Sequence, residues 1–189
     1  WILEYAGLSP GFLIGGIPAN FQHSARLSDS NFFVIEADEY DTSYFDRRSK
    51  FLHYQPRTVV LNNLEFDHAD IFENLKAIQQ QFHLLIRSVP GNGQLILPED
   101  DKALNEVIAQ GCWTPQVRFS SKQNSKAEIR AGAISADGSK FKITVVDQYQ
   151  GTINWNLTGQ HNVYNACAAI AAARHVGVPA ATAIQGLNE

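Results

Sequence analysis

Two short, unbroken apolar runs constrain this chain most: Phe32-Phe33-Val34-Ile35 and Thr58-Val59-Val60-Leu61. A half-buried strand alternates apolar and polar residues, so continuous runs of β-branched and aromatic side chains read as strands covered on both faces. That pattern belongs to a parallel sheet held between helical layers. Both runs stop at polar clusters, Glu36-Ala37-Asp38-Glu39 after the first and Asn62-Asn63-Leu64-Glu65-Phe66-Asp67-His68 after the second. In open parallel sheets ligands bind at the carboxyl ends of the strands, so chemistry is expected at these two clusters.

The rest of the chain extends this reading. Apolar residues at Ile71, Leu75, Ile78, Phe82, Leu85 and Ile86 form one helical face, closed by Pro90-Gly91-Asn92-Gly93. A strand over 94–97, a helix over 100–110 and a strand over 116–119 complete a β-α-β-α-β rhythm. Beyond a polar linker at 120–125, strands over 127–134 and 141–146 are predicted around Ala136-Asp137-Gly138-Ser139, with a third over 152–157. This 127–157 meander is expected as a small antiparallel β subdomain appended to the α/β body. An alanine-rich helix from about Val163 to His175 and a last helix over 180–187 follow. Upstream, a helix over 1–6 stops at Gly7, and the strand Phe12-Leu13-Ile14 ends at Gly15-Gly16. The expected fold is α/β, a mostly parallel sheet flanked by helices. The absence of methionine and an opening directly into a helix read as one domain, residues 1–189, excised from a longer chain.

Composition narrows the partners. With 15 basic and 19 acidic side chains the formal charge is −4, which argues against a general nucleic-acid binder. The apolar stretch from Gly159 to Ala173 is interrupted by Gln160, His161, Asn162 and Asn165, well short of the ~20 residues a membrane span needs. No membrane partner is expected. Cys112 and Cys167 lie far apart, suggesting neither a zinc knuckle nor a disulfide framework, so a reducing cytoplasm is the expected setting.

Carboxylates and an imidazole together suit a divalent cation that also holds phosphate, because such ions keep several positions for water and phosphate oxygens. Glu36 and His68 are the candidate metal ligands and, with Asp67, the candidate catalytic residues. The bland alternatives stand beside them: the acidic run as a solvated loop cap, Asp67 as a helix N-cap, His68 as a helix-terminal or core histidine. Asn162 and Asn165, one helical turn apart, carry the donors and acceptors to read an adenine edge, or Asn162 simply caps its helix. No G-x-x-x-x-G-K-[ST], G-x-S-x-G or H-E-x-x-H occurs, so any phosphate cradle of that type would precede Trp1.

Taken in order, Val34-Ile35-Glu36-Ala37-Asp38-Glu39, Asn63-Leu64-Glu65-Phe66-Asp67-His68-Ala69-Asp70 and Gly159-Gln160-His161-Asn162-Val163-Tyr164-Asn165-Ala166 resemble three motifs of the Mur ligases' ATP-binding domain. The resemblance covers nearly the whole chain. It implies a P-loop NTPase-like central domain whose partners include N- and C-terminal domains of the same chain. By that resemblance Glu36 would coordinate Mg2+ on the γ-phosphate side of ATP, and His68 a second Mg2+ near the acyl acceptor. His161, Asn162 and Asn165 would hold adenine and ribose, while Asn63 and Asp67 would support nucleotide and metal. Several relatives carry a carbamylated lysine on the helix after Asp-His, where this chain reads Gln79-Gln80-Gln81-Phe82-His83.

The stretch Glu39-Tyr40-Asp41, Phe45-Asp46-Arg47-Arg48-Ser49-Lys50-Phe51 and Pro56-Arg57-Thr58 is similar to the branch of the family that recycles murein peptides. The alanine-adding branch is usually shorter there. The implied reaction joins UDP-N-acetylmuramate to the murein tripeptide L-alanyl-γ-D-glutamyl-meso-diaminopimelate: ATP converts a carboxylate to an acyl phosphate, which the peptide amine attacks. The alternatives are ligation of L-alanine to the same sugar nucleotide, a phosphoester hydrolase using Glu36, Asp38, Asp67 and His68, and a noncatalytic nucleotide-binding or assembly module. This chain alone is expected to be inactive.

Overall fold

The computed structural model describes residues 1–65 and 72–189. A short helix α1 (Ile2–Tyr5) precedes a three-stranded sheet of β1 (Gly11–Leu13), β2 (Ala25–Arg26) and β3 (Phe33–Ile35), ordered β2-β1-β3. β1 and β3 are parallel, with Leu13 beside Ile35. A hairpin of β4 (Asp41–Ser43) and β5 (Asp46–Ser49) and a 3-10 turn (Lys50–His53) then lead to β6 (Thr58–Val60). The main body follows as α2 (Leu75–Ser88), β7 (Gln94–Pro98), α3 (Lys102–Ala109), β8 (Gln116–Ser120), β9 (Ile129–Gly132), β10 (Lys140–Val145), β11 (Gln148–Asn154), α4 (Gln160–His175) and α5 (Ala180–Leu187).

The second sheet has six strands in the order β11-β10-β9-β8-β7-β6. From β6 to β9 neighbouring strands are parallel, and β9, β10 and β11 are antiparallel. The expected meander is therefore present, and it continues the edge of the parallel sheet through the β8–β9 pairing. Leu95, Ile96 and Leu97 in β7 are fully buried. Leu95 and Leu97 face a core with Ile78, Leu85 and Ile86 of α2 and Leu104 and Val107 of α3. Ile96 faces the opposite core, with Val163, Cys167 and Ile170 of α4 and with Phe119, Ile143 and Ile153. Burying one such side chain is worth about 1.5–3 kcal/mol, so this strand pins both layers.

The apolar runs at 32–35 and 58–61 behave differently from β7. Phe33 and Val34 are 53% and 44% exposed, and Val60 is 41% exposed. β3 and β6 are edge strands of separate sheets, so among the described residues neither is covered on both faces as expected. α2 and α3 are capped by local side chains: Asn74 Oδ1 accepts from the Ala77 amide (3.0 Å) and Asp101 Oδ1 from the Leu104 amide (2.9 Å). None of the described residues forms a helix long and apolar enough to cross a membrane.

Candidate functional site

Glu36 follows the last residue of β3. Its amide donates to Leu13 O (3.0 Å), continuing the parallel pairing, and its Oε2 accepts from the Gly15 amide at 2.7 Å. The side chain is exposed, and Oε1 has no hydrogen-bond partner among the described residues. A carboxylate oriented by a backbone amide through one oxygen, with the other open, is a fitting oxygen ligand for a hard cation. Asp38 is engaged by Lys50 Nζ (3.4 Å) and tied into the base of the β4–β5 hairpin. Asp67 and His68 lie outside the described residues. Among those described, no cluster of three or more His, Cys, Asp or Glu side chains could hold a metal ion.

The α4 terminus is more fully built. The helix begins at Gln160, about three residues before the sequence pattern suggests, so His161, Asn162 and Asn165 occupy its first two turns. Gly159, at φ +91° and ψ 151°, enters a region essentially closed to other residues. A Cβ there would also stand 2.7 Å from His161 Cε1, so the glycine lets the imidazole fold back over the backbone. The Gly159 amide donates to Asp137 O (2.7 Å), which fastens the β9–β10 turn to the helix start. Gly138 permits that approach, since a Cβ on it would lie 3.0 Å from Gly159 N. The Ser135 hydroxyl, then the Ser139 amide and hydroxyl, donate to the Asp137 carboxylate and hold its pKa down to about 2.

Amides connect this terminus to the sheet. Asn162 Nδ2 donates to Thr158 O (2.8 Å), Asn165 Nδ2 to Asn162 Oδ1 (3.2 Å), and Asn62 Nδ2 to Asn165 Oδ1 (2.6 Å). Asn62 stands two residues past the end of β6, so β6 and α4 meet through side chains far apart in sequence. Asn63, the residue singled out by resemblance, is exposed, and its neighbour Asn62 makes the contact. Only the lack of alternation in Asn62-Asn63 marks the pair, and nothing in the sequence distinguishes the two. Further along the rim, Asp100 pairs with Lys122 (2.7 Å) and accepts from the Tyr164 hydroxyl (3.5 Å).

Within the stretch 79–83, Gln79 is buried and donates to Ala103 O (3.1 Å) and Glu106 Oε2 (2.9 Å), tying α2 to α3. Two shallow clefts of about 230 and 290 Å³ border the β10–β11 turn and the α1–α5 seam, and neither is lined by Glu36, Asn62 or the first turn of α4.

Glu36 closes a strand of the three-stranded sheet, and the amides and imidazole gather at a helix start beside the six-stranded one. The sequence matches the Mur ligase middle domain over residues 15–173. The chain belongs to that family. It is 52% identical, over its whole length, to UDP-N-acetylmuramate--L-alanyl-gamma-D-glutamyl-meso-2,6-diaminoheptandioate ligase of Escherichia coli (strain K12), and covers 40% of that protein. It superposes with a TM-score of 0.90, at 53% identity, on the crystal structure of the ligase of that kind from Neisseria meningitides, covering 100% of this chain and 59% of that one. Identity to UDP-N-acetylmuramate--L-alanine ligase of Trichlorobacter lovleyi is 33%, over 94% of this chain and 38% of that protein. The chain thus spans about two fifths of the length of the curated relatives it matches.

Proposed function

We propose that this chain is the nucleotide-binding middle domain, residues 1–189, of a cytoplasmic ligase that uses ATP and Mg2+ to join UDP-N-acetylmuramate to L-alanyl-γ-D-glutamyl-meso-diaminopimelate. The observation that carries this reading is the 52% identity along the entire chain to a ligase named for that tripeptide, against 33% to one named for L-alanine. Flanking N- and C-terminal domains of the full-length protein would supply the remainder of the substrate contacts.

In this reading Glu36 and His68 hold one Mg2+ each, Asn63 and Asp67 support nucleotide and metal, and His161, Asn162 and Asn165 hold adenine and ribose. Bound Mg2+ supplies charge neutralisation for the phosphoryl groups. The protein's own part is positional. The Gly15 amide orients Glu36, and the amide chain from Asn62 to Thr158 orients the base-binding groups. Such preorganised dipoles cost no rearrangement at the moment of reaction. No covalent nucleophile is required, because the sugar carboxylate is activated by phosphorylation and the acceptor is an amine.

The test is ADP release by the full-length enzyme given UDP-N-acetylmuramate, ATP and either the tripeptide or L-alanine. Tripeptide-dependent turnover is expected, lost on the order of a hundredfold or more in Glu36→Ala with the fold retained. Turnover with L-alanine alone, or phosphate release from a simple phosphoester without an amine, would refute the assignment. The separate chain described here is expected to show no ligase turnover.

A further inference from the structure

We infer that Asn62 is a positioning residue that closes the amide chain leading to the α4 terminus in the one direction Thr158 allows, and that only a donor is tolerated at its place; the inference rests on the nucleotide role proposed for that terminus. The direction originates at Thr158. A backbone carbonyl can only accept, so Asn162 must turn Nδ2 toward Thr158 O, at 2.8 Å. Asn162 Oδ1 is then committed to accepting from Asn165 Nδ2 (3.2 Å), and Asn165 Oδ1 to accepting from Asn62 Nδ2 (2.6 Å). Asn162 Nδ2 also lies 3.1 Å from His161 Nε2. That ring nitrogen therefore accepts, and the imidazole proton sits on Nδ1.

The chain ends at Asn62 Oδ1, which is buried and has no hydrogen-bond partner among the described residues. A buried acceptor left without a donor is costly, and an amide free to turn would avoid it. Here it cannot turn. Rotating Asn62 would set its oxygen against Asn165 Oδ1, and relieving that by rotating Asn165 and Asn162 would bring Asn162 Oδ1 onto Thr158 O. The orphan acceptor is thus the cost of one enforced polarity, in which every donor and acceptor at the helix start, including the His161 tautomer, has a single assignment.

Two substitutions separate this role from simple packing. Asn62→Asp keeps the shape and replaces the donor by an acceptor, so the chain can be satisfied only by reversing it into the Thr158 carbonyl. Asn62→Ala removes one bond and leaves Asn165, Asn162 and Thr158 as they are. Polarity predicts that aspartate is the more damaging change; packing predicts alanine.

The measurement is the affinity of the full-length enzyme for ADP and for adenosine, the uncharged ligand removing repulsion between the new carboxylate and phosphates. Asn62→Asp should weaken both by roughly tenfold or more and Asn62→Ala by no more than about threefold, with one to two net hydrogen bonds as the scale. Nitrogen-15 NMR should find His161 protonated on Nδ1 in the wild type and in Asn62→Ala, and altered in Asn62→Asp. Alanine as damaging as aspartate, or a wild-type His161 protonated on Nε2, would overturn the inference alone. A wild type that binds neither ligand would overturn the nucleotide reading, and this inference with it.

Discussion

β3 and β7 carry the same kind of sequence and meet opposite fates. Phe33-Val34-Ile35 and Leu95-Ile96-Leu97 are both unbroken apolar runs, yet the first leaves Phe33 and Val34 about half exposed and the second is fully enclosed. β7 sits in the interior of the six-stranded sheet, with α2 and α3 on one face and α4 on the other, whereas β3 pairs on one side only, with β1. An apolar run therefore reports that a strand is suited to burial on both faces. It does not report whether the covering layers come from neighbouring segments. The functional residues divide the same way: the α4 terminus is locked by a chain of amides, while Glu36 stands exposed on a single backbone contact.

The largest expected effect probes that contrast directly. Leu97→Ala should cost about 2–5 kcal/mol in urea denaturation, because the site is closed on all sides. Val34→Ala should cost no more than about 1 kcal/mol, as for a partly exposed position. Equal losses would dissolve the distinction between the two strands.

Next comes Gly159→Ala, which places a Cβ against His161 in a backbone region open essentially to glycine. Strain of about 1–3 kcal/mol is expected, read as lowered thermal stability together with weakened nucleotide binding in the full-length enzyme. The thiols sharpen the comparison further. Cys167 lies within the α4 core, and burial pushes its thiol up to about 12. Alkylation of the native protein at pH 8 should modify Cys112, which is only partly buried, and reach Cys167 only in denaturant.

The smallest effect concerns acid. Asp137 has a folded pKa of about 2 against an ordinary 3.8, so its contribution is present above the ordinary value and is lost as pH falls toward 2. Asp137→Asn should remove that contribution at neutral pH, a small loss because the carboxylate is exposed, and leave stability near pH 2 nearly unchanged, which flattens the acid limb.

Much of the architecture was legible because periodicity and turn chemistry acted locally. α3, α5, β7 and β8 fall where spacing and Gly/Pro punctuation put them, and α2 follows its expected face from Leu75 on, where Asn74 caps it; Ile71, the first residue of that face, lies outside the described residues. β11 was misplaced: residues 152–157 were expected, and the strand runs Gln148–Asn154. The connection from β10 is a two-residue turn in which Val146 and Asp147 both adopt positive φ (45° and 63°). Tight hairpins usually announce themselves with Asn-Gly or Asp-Gly, and a β-branched residue at such a φ gives no signal.

The site shows the same limit. Asn162 and Asn165 are legible because one helix spaces them. Asn62 became visible only through a contact spanning more than a hundred residues, which no local pattern encodes. The motif similarity pointed to Asn63, one residue away, and a one-residue step along an extended segment turns a side chain to the other side.

The central claim is that Glu36 and His68 serve the metal cluster of one bound nucleotide beside the α4 terminus. Crystals of the full-length protein grown with a nonhydrolysable ATP analogue and Mn2+ test it most directly, through the manganese anomalous signal. The account predicts a manganese peak in contact with Glu36 and the terminal phosphate, with His68 on the same metal cluster and the adenine against His161, Asn162 and Asn165. A manganese site that leaves Glu36 in a separate cavity, or a base bound away from α4, would contradict it.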